Sequence, residues 1–269
     1  LITPETDIGS LTVHYPWILE TKLVAKPDQL FGKRKKHNLV LLNADFNTVR
    51  EWITNHRNKE VTIGNATGEL THFLIEPFIP HKEEYYVSFT SERDGDTINF
   101  STQGGIDIED NWDNVIHIQV GTLRSIESVD LSSIINTITK EAHTEIIRKF
   151  VKALFNVFRI LNFSYLEINP FTIKDTNVIL FDTVAQLDDC AHFTKNGEIT
   201  FPKEFGKTSF AEEEYIENID RNSGASLKLT VLNPQGNIWN ILGGGGASIL
   251  YLDMIANLGK GDQIANYGE

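Results

Sequence analysis

The chain has 269 residues, 41% hydrophobic and 23% charged, a globular composition with room for one large or two moderate domains. Its formal net charge of −13 argues against a broad nucleic-acid surface but leaves room for a local basic pocket that takes a polyanion. No apolar run approaches the roughly 18 residues that span a bilayer. The single cysteine, Cys190, excludes an internal disulfide framework and a thiolate metal cluster, so a reducing cytoplasm is the simplest setting. The chain opens on Leu1 and its only methionine is Met254, so the true N-terminus is expected upstream.

Pro16–Leu19 reads as a short helix or turn. Leu23–Asp28 reads as a short buried strand ending in Lys26 and Pro27, and the proline holds the lysine extended. That lysine is either snorkelling to solvent or clamping a phosphate. The run Gly32–His37 is the dense basic stretch of an acidic chain. It reads as a solvated loop, a localisation-type tag or a mobile loop over phosphates. Strand-like Leu39–Leu42 follows. Asp45 is the expected N-cap of a helix to about His56, with Phe46, Val49, Trp52 and Ile53 on one face. Val61–Ile63 and Phe73–Glu76 read as strands. Pro77–His81 then forms an extended connector whose free backbone groups can pair with a flat ligand. Strands Tyr85–Thr90 and Thr97–Ser101 flank a turn at Arg93–Asp96, and Gly104–Gly105 end the pair.

Residues 106–140 show no strong periodicity. Glu141–Leu161 is the clearest helix, with Ile147, Phe150, Val151, Leu154, Phe158 and Leu161 forming a core stripe. Residues 191–225 read as a loop-rich, acidic link between domains. A second unit then starts at Leu227: strand Leu227–Leu232, a turn, strand Ile238–Leu242, the glycine run Gly243–Gly246, and a helix over about Ser248–Asn257. Strand, glycine loop and helix form an anion-binding arrangement, but one without the Walker lysine or the spaced dinucleotide fingerprint. This unit holds too few strands for a doubly wound sheet, so a partner or a longer polypeptide is expected to complete it.

Phe163–Gln186 reads as two strands, Tyr165–Ile168 and Asn177–Asp182, interrupted by Pro170 and by the Lys174–Asn177 turn. Period-2 geometry puts Glu167 and Asn169 on one face, and pairing brings Asn169 and Asp182 together at one end. Two or three oxygen donors without histidine or thiol suit Mg²⁺ that keeps its waters and also holds a nucleotide phosphate. An ordinary hairpin with a polar face is the competing reading.

The stretches LVAKPDQL (23–30), FLIEPFIPH (73–81), YLEINP (165–170), SGASLKLTVLNPQGNIW (223–239), GGGGAS (243–248) and ANYGE (265–269) together resemble the ATP-grasp portion of the ATP-citrate lyase family. The matching subunit of citryl-CoA synthetase is similar too, and the β subunit of succinyl-CoA synthetase is a more distant likeness. The resemblance implies an α+β chain: an ATP-grasp domain over 1–205, lacking its first helix, and a linker with the truncated start of a flavodoxin-like α/β domain over 206–269.

It also implies roles. Lys26 meets the ATP phosphates, and Lys33 and Arg34 lie over them. The backbone of Pro77 to Ile79 meets adenine, and Glu84 binds the ribose hydroxyls. Asn169 and Asp182 hold Mg²⁺. Gly224 and the loop Gly243, Gly244, Gly245, Gly246 and Ala247 lie near citrate and a phosphohistidine. That histidine is expected outside this chain, and no catalytic residue is assigned within it. The implied reaction turns ATP, citrate and CoA into acetyl-CoA, oxaloacetate, ADP and phosphate, with CoA bound by the remaining portion or subunit of a homo- or hetero-oligomer. No nucleic acid or membrane is implied, and the expected location is the cytoplasm. A succinyl-CoA synthetase-like ligase subunit and a non-catalytic ATP-grasp scaffold are the alternatives. Lys35 stands where the pattern has glycine, Gln103 where it has glutamate, and Gln186 where it often has lysine.

Overall fold

The strands, in chain order, are β1 (Leu23–Pro27), β2 (Leu41–Ala44), β3 (Glu60–Ile63), β4 (Ala66–Glu69), β5 (Phe73–Pro77), β6 (Tyr85–Glu92), β7 (Gly95–Ser101), β8 (Ile116–Gly121), β9 (Phe163–Lys174), β10 (Asn177–Leu180), β11 (Thr183–Leu187), β12 (Leu229–Val231) and β13 (Asn266–Gly268). The helices are α1 (Leu11–His14), α2 (Phe46–His56), α3 (Ser132–Ile135), α4 (Glu141–Ile160), α5 (Ala211–Ser223) and α6 (Gly246–Ile255). They come from a computed structural model that describes residues 1–105, 108–188, 191, 202–207 and 210–269, without the side chains of 109 and 110. Cys190 and part of the expected link lie outside the described residues. The chain divides into two units: Leu1–Lys59 with Glu69–Lys203, and Glu60–Gly68 with Glu204–Glu269. Among the described residues no helix is long and apolar enough to cross a membrane.

The first unit is built on two antiparallel sheets. The smaller has the order β2-β1-β5. Its helix α2 starts where expected, because the Asp45 side chain accepts the Thr48 N–H at 2.9 Å. Phe46, Val49 and Ile53 of α2 are buried, as are Leu23 and Ala25 of β1 and Phe73 of β5.

The larger sheet runs β10-β9-β6-β7-β8, with β11 also on β9. Its two faces differ as period-2 patterning demands. Val87, Phe89, Ile98, Phe100, Leu166 and Ile168 belong to one apolar core cluster with α4. The other face carries Tyr86, Ser88, Asn99, His117, Tyr165 and Glu167, registered across the strands as Ser88↔Asn99, Asn99↔His117 and Ser88↔Glu167. Helix α4 buries Ile147, Val151, Phe155 and Phe158. Phe155, absent from the expected stripe, is fully buried, with its ring edge-on to Phe89 at 5.5 Å.

Several expectations give way here. β9 is not interrupted at Pro170 but continues for 12 residues. The proline sits in the gap between β10 and β11, where its carbonyl accepts from Phe181 N at 3.0 Å and no N–H is needed from it. The stretch 106–140 contains β8, whose Ile118 and Val120 alternate with His117 and Gln119.

The second unit is smaller. The stretch read as loop contains helix α5, with Glu212, Glu213 and Glu214 in its first turn, where the helix dipole favours negative charge. Gly224 ends it in the left-handed conformation (φ 65). β12 pairs antiparallel with β13. Ile238–Leu242 is not a strand. It makes one parallel bridge, Ile238↔Ile264. Asn240 and Asn266 hold it otherwise, by exchanging side-chain and backbone hydrogen bonds in a buried site: Asn240 N donates to Asn266 Oδ1 at 2.9 Å and Asn266 Nδ2 donates to Asn240 C=O at 2.8 Å. Side chains thus satisfy backbone groups that a ladder would have paired.

Candidate functional site

β9 lies between β6 on one side and both β10 and β11 on the other. β10 pairs with its second half, from Phe171 to Lys174, and β11 with its first half, from Phe163 to Ile168. Asp182 falls between those two strands, opposite Asn169, and Asn169 N donates to Asp182 C=O at 3.1 Å. Asn169 thus stands opposite Asp182 as expected, but Asn177–Leu180 pairs with Phe171–Lys174 and not with Tyr165–Ile168, which pairs with β11 instead.

They open into a cleft of about 880 Å³ in the first unit, which Lys26, Arg34, Ile79, Glu84, Asn169 and Asp182 all line. Pro77 and Lys33 line it as well. Lys26 is held by an ion pair to Glu76 at 2.9 Å, and its ammonium also donates to the Phe181 carbonyl. Arg34 Nη1 donates to both carboxylate oxygens of Asp182, at 2.9 and 3.2 Å. Its Nε is buried without a hydrogen-bond partner among the described residues. Lys33 opens the tight turn of the basic run at φ 57. Asn38 closes that turn at φ 56.

The glycine pair after β7 has a steric reason. A Cβ at Gly104 would meet the Tyr85 carbonyl at 2.7 Å, and one at Gly105 (φ +101) would lie 2.6 Å from Glu84 Oε2. Gly105 N donates to Asn169 Oδ1 at 2.7 Å and so orients the amide. Beside the pair, Glu167 accepts from Tyr165 Oη at 2.6 Å and from Tyr86 Oη at 3.3 Å. Burial pushes the Tyr86 hydroxyl up to about 12, and burial followed by the Glu167 hydrogen bond pushes Tyr165 higher still, so both phenols are neutral donors.

The donor set fits Mg²⁺ and a polyphosphate. Asn169 and Asp182 offer only oxygen, and each retains acceptor capacity beyond the bonds just described. Among the described residues no group of three or more His, Cys, Asp or Glu side chains gathers as a metal centre. A pair of oxygen donors completed by phosphate and water is the arrangement Mg²⁺ takes. Glu76, Phe181 and the two tyrosines were not singled out from sequence. A charge within the apolar run FLIEP was the available signal for Glu76. Gln103 bonds its neighbour Ser101, with its N–H donating to Ser101 Oγ at 3.0 Å. Gln186 lies exposed on β11 opposite Tyr165.

In the second unit the expected anion loop precedes α6. Gly244 (φ 95) and Gly245 (φ 73) take left-handed conformations that a side chain would strain. A Cβ at Gly243, Gly245 or Gly246 would meet nothing within 4 Å, so the loop is open.

Comparison with known proteins accounts for both units. A family model described as the ATP-citrate synthase ATP-grasp domain matches residues 1–198. The chain belongs to the ATP-citrate synthase family. A second model, the ATP citrate lyase citrate-binding family, matches residues 207–269. The ATP-citrate synthase alpha chain protein 2 of Arabidopsis thaliana is 42% identical over 100% of this chain and 64% of its own length. ATP-citrate synthase of Homo sapiens is 41% identical over 100% of this chain and 25% of its own.

Among solved structures, ATP citrate lyase from Methanothrix soehngenii, in complex with citrate and coenzyme A, superposes with a TM-score of 0.89 at 44% identity, covering 100% of this chain and 64% of that one. The D541A mutant of the Methanosaeta concilii enzyme, in complex with (3S)-citryl-CoA, gives 0.87 at 42%, covering 100% and 63%. The dinucleotide-forming acetyl-coenzyme A synthetase 1 of Ca. Korarchaeum cryptofilum shares the fold alone, at a TM-score of 0.52 and 15% identity over 70% of this chain and 86% of that one. The fold is thus the mixed α+β ATP-grasp type. The chain spans slightly less than two thirds of the plant family members' length.

Proposed function

We propose that this chain is the nucleotide-holding part of an ATP-citrate lyase, positioning Mg-ATP for phosphoryl transfer in the conversion of ATP, citrate and CoA to acetyl-CoA, oxaloacetate, ADP and phosphate. The observation that carries the proposal is the register of Asn169 with Asp182 at the edge of a cleft that Lys26 and Arg34 also line. Citrate and CoA as ligands rest on the complexes solved for family members.

In this reading the Pro77–Ile79 backbone faces adenine, Glu84 takes the ribose hydroxyls, and Lys26, Lys33 and Arg34 neutralise the phosphates. Mg²⁺ held by Asn169 and Asp182 supplies charge neutralisation to the phosphate oxygens. Phosphoryl transfer needs positioning and electrostatic stabilisation more than covalent chemistry from the protein. The residues of the cleft match that demand, and the acceptor histidine and the CoA site belong to the remaining portion of the enzyme or a further subunit. Arg34 exchanges Asp182 for phosphate when the nucleotide enters, and Lys26 relaxes from Glu76. Gly224 and the Gly243–Ala247 loop belong to the citrate side of the reaction.

Asp182→Ala tests this. Calorimetric titration of Mg-ATP onto the full chain is expected to show binding that the variant abolishes, with the wild-type affinity dependent on Mg²⁺. Unchanged, metal-independent binding by Asp182→Ala would remove the proposal. Phosphohistidine formed on the remaining portion when ATP and this chain are supplied separates an enzyme from a scaffold.

A further inference from the structure

We infer that His81 is a positioning residue of the nucleotide cleft, fixing the Glu84 carboxylate against the hinge backbone at Ile79. The inference rests on the nucleotide reading above. His81 ends the Pro77–His81 connector between β5 and β6; the pairing with β1 runs out at Phe78, whose N–H donates to the Lys22 carbonyl at 2.7 Å, and past it side chains must hold the chain. Its Nδ1 lies 2.7 Å from the Ile79 carbonyl oxygen and its Nε2 3.0 Å from Glu84 Oε1. Both partners are acceptors, so both contacts are made together when each ring nitrogen carries hydrogen and donates.

The flat of the ring stacks on Phe181, with centroids 4.4 Å apart and planes at 26°. Phe181 gives its carbonyl to Lys26 and precedes Asp182 in the chain. One side chain thus joins the hinge, the ribose carboxylate and the edge that carries the metal pair. On its other side Glu84 is closed in by Gly105, where a Cβ would come within 2.6 Å of Oε2. The carboxylate is held between imidazole and glycine. Removing the imidazole frees one side of it and the hinge carbonyl at once.

The test titrates Mg-ATP and Mg-2′,3′-dideoxy-ATP onto the full chain and its His81→Ala, His81→Gln, Glu84→Gln and double variants, with circular dichroism melting to confirm folding. Wild-type ATP binding tests the nucleotide reading by itself. Given that binding, wild type is expected to prefer ATP over the dideoxy analogue. His81→Ala is expected to weaken ATP about tenfold and to erase that preference, as Glu84→Gln does, and the two losses should not add in the double variant because they act on one contact. His81→Gln, which keeps one donor, should fall between, and it is read by the same criteria if the alanine variant fails to fold. The inference is overturned if wild type does not discriminate the two nucleotides. It is equally overturned if His81→Ala keeps its ATP affinity, or if it loses affinity while retaining the ATP preference, since a histidine that merely pins the connector would do the last.

Discussion

His143 is a buried imidazole on α4 whose Nδ1 lies 2.9 Å from the Tyr85 hydroxyl. Burial holds its pKa below the usual histidine value; Glu83, 3.9 Å away, opposes that shift, and Lys140 adds to it. The same burial, with Glu83 nearby, pushes Tyr85 up to about 12, so the phenol stays a neutral partner. A histidine whose folded pKa is depressed takes up its proton first in the unfolded chain, near pH 6.5. Its effect on stability is therefore absent above that pH and grows as pH falls through it, until the folded state is protonated as well. Melting temperature is expected to decline with acid below about pH 6.5. His143→Gln should flatten that part of the curve, and a variant with the wild-type slope would show that other groups set it.

Helix α4 and strand β9 both supply buried residues to the apolar core of the first unit. Phe155 is fully buried, packs on Phe89 and Phe158, and lies under the Arg159 guanidinium at 4.7 Å. Phe155→Ala leaves a large void in a close-packed core and is expected to cost about 3–5 kcal/mol in denaturant unfolding. Val157→Ala, on the exposed side of the same helix, should stay within about 0.5 kcal/mol. Equal losses at both positions would mean that the stripe is not where the helix packs. What was legible in the sequence was what local chemistry decides: the Asp45 cap, the period of α4, and the pairing that sets Asn169 against Asp182. Pro170 misled because a proline breaks a strand only where its N–H is wanted, and the gap between β10 and β11 is a tertiary fact. Ile238–Leu242 misled because a buried asparagine pair replaces its ladder. Helix α5 is hidden in the sequence because its acidic first turn lacks apolar periodicity. The cleft's cations are legible as residue types, but their neutralising partners come from elsewhere in the chain, Glu76 from β5 and Asp182 from the link between β10 and β11. Their pairing is therefore visible only once the sheets are assembled.

At the scale of the whole molecule, 37 acidic against 24 basic residues leave a net charge of −13, and that imbalance has a sign that can be measured. Exposed pairs such as Arg221–Glu217 and Lys149–Glu145 are short-range helix contacts, each worth less than about 1 kcal/mol. Screening them therefore sacrifices little. Self-repulsion among the excess carboxylates acts over the full width of the chain, and salt reduces it as the Debye length shrinks from about 30 Å at 0.01 M to about 8 Å at 0.15 M. The apparent melting temperature is accordingly expected to rise across that range and to level off above it, where charges more than one side chain apart no longer interact. A thermal unfolding series in sodium chloride checks this, and a flat or falling curve would show that the ion pairs, not the net charge, dominate. The cleft is the local exception to this acidic field. Lys26, Lys33 and Arg34 converge there, yet Lys26 and Arg34 are already paired with Glu76 and Asp182. A polyphosphate entering so nearly balanced a site gains little from the side chains alone. In the proposed reading, a cation held by Asn169 and Asp182 would both add positive charge and release Arg34. For that reason the metal dependence of nucleotide binding should be steep: removing Mg²⁺ with a chelator is expected to weaken ATP at least as much as Lys26→Ala does. A chelated chain that binds ATP better than Lys26→Ala with metal would contradict the balance of charges described here.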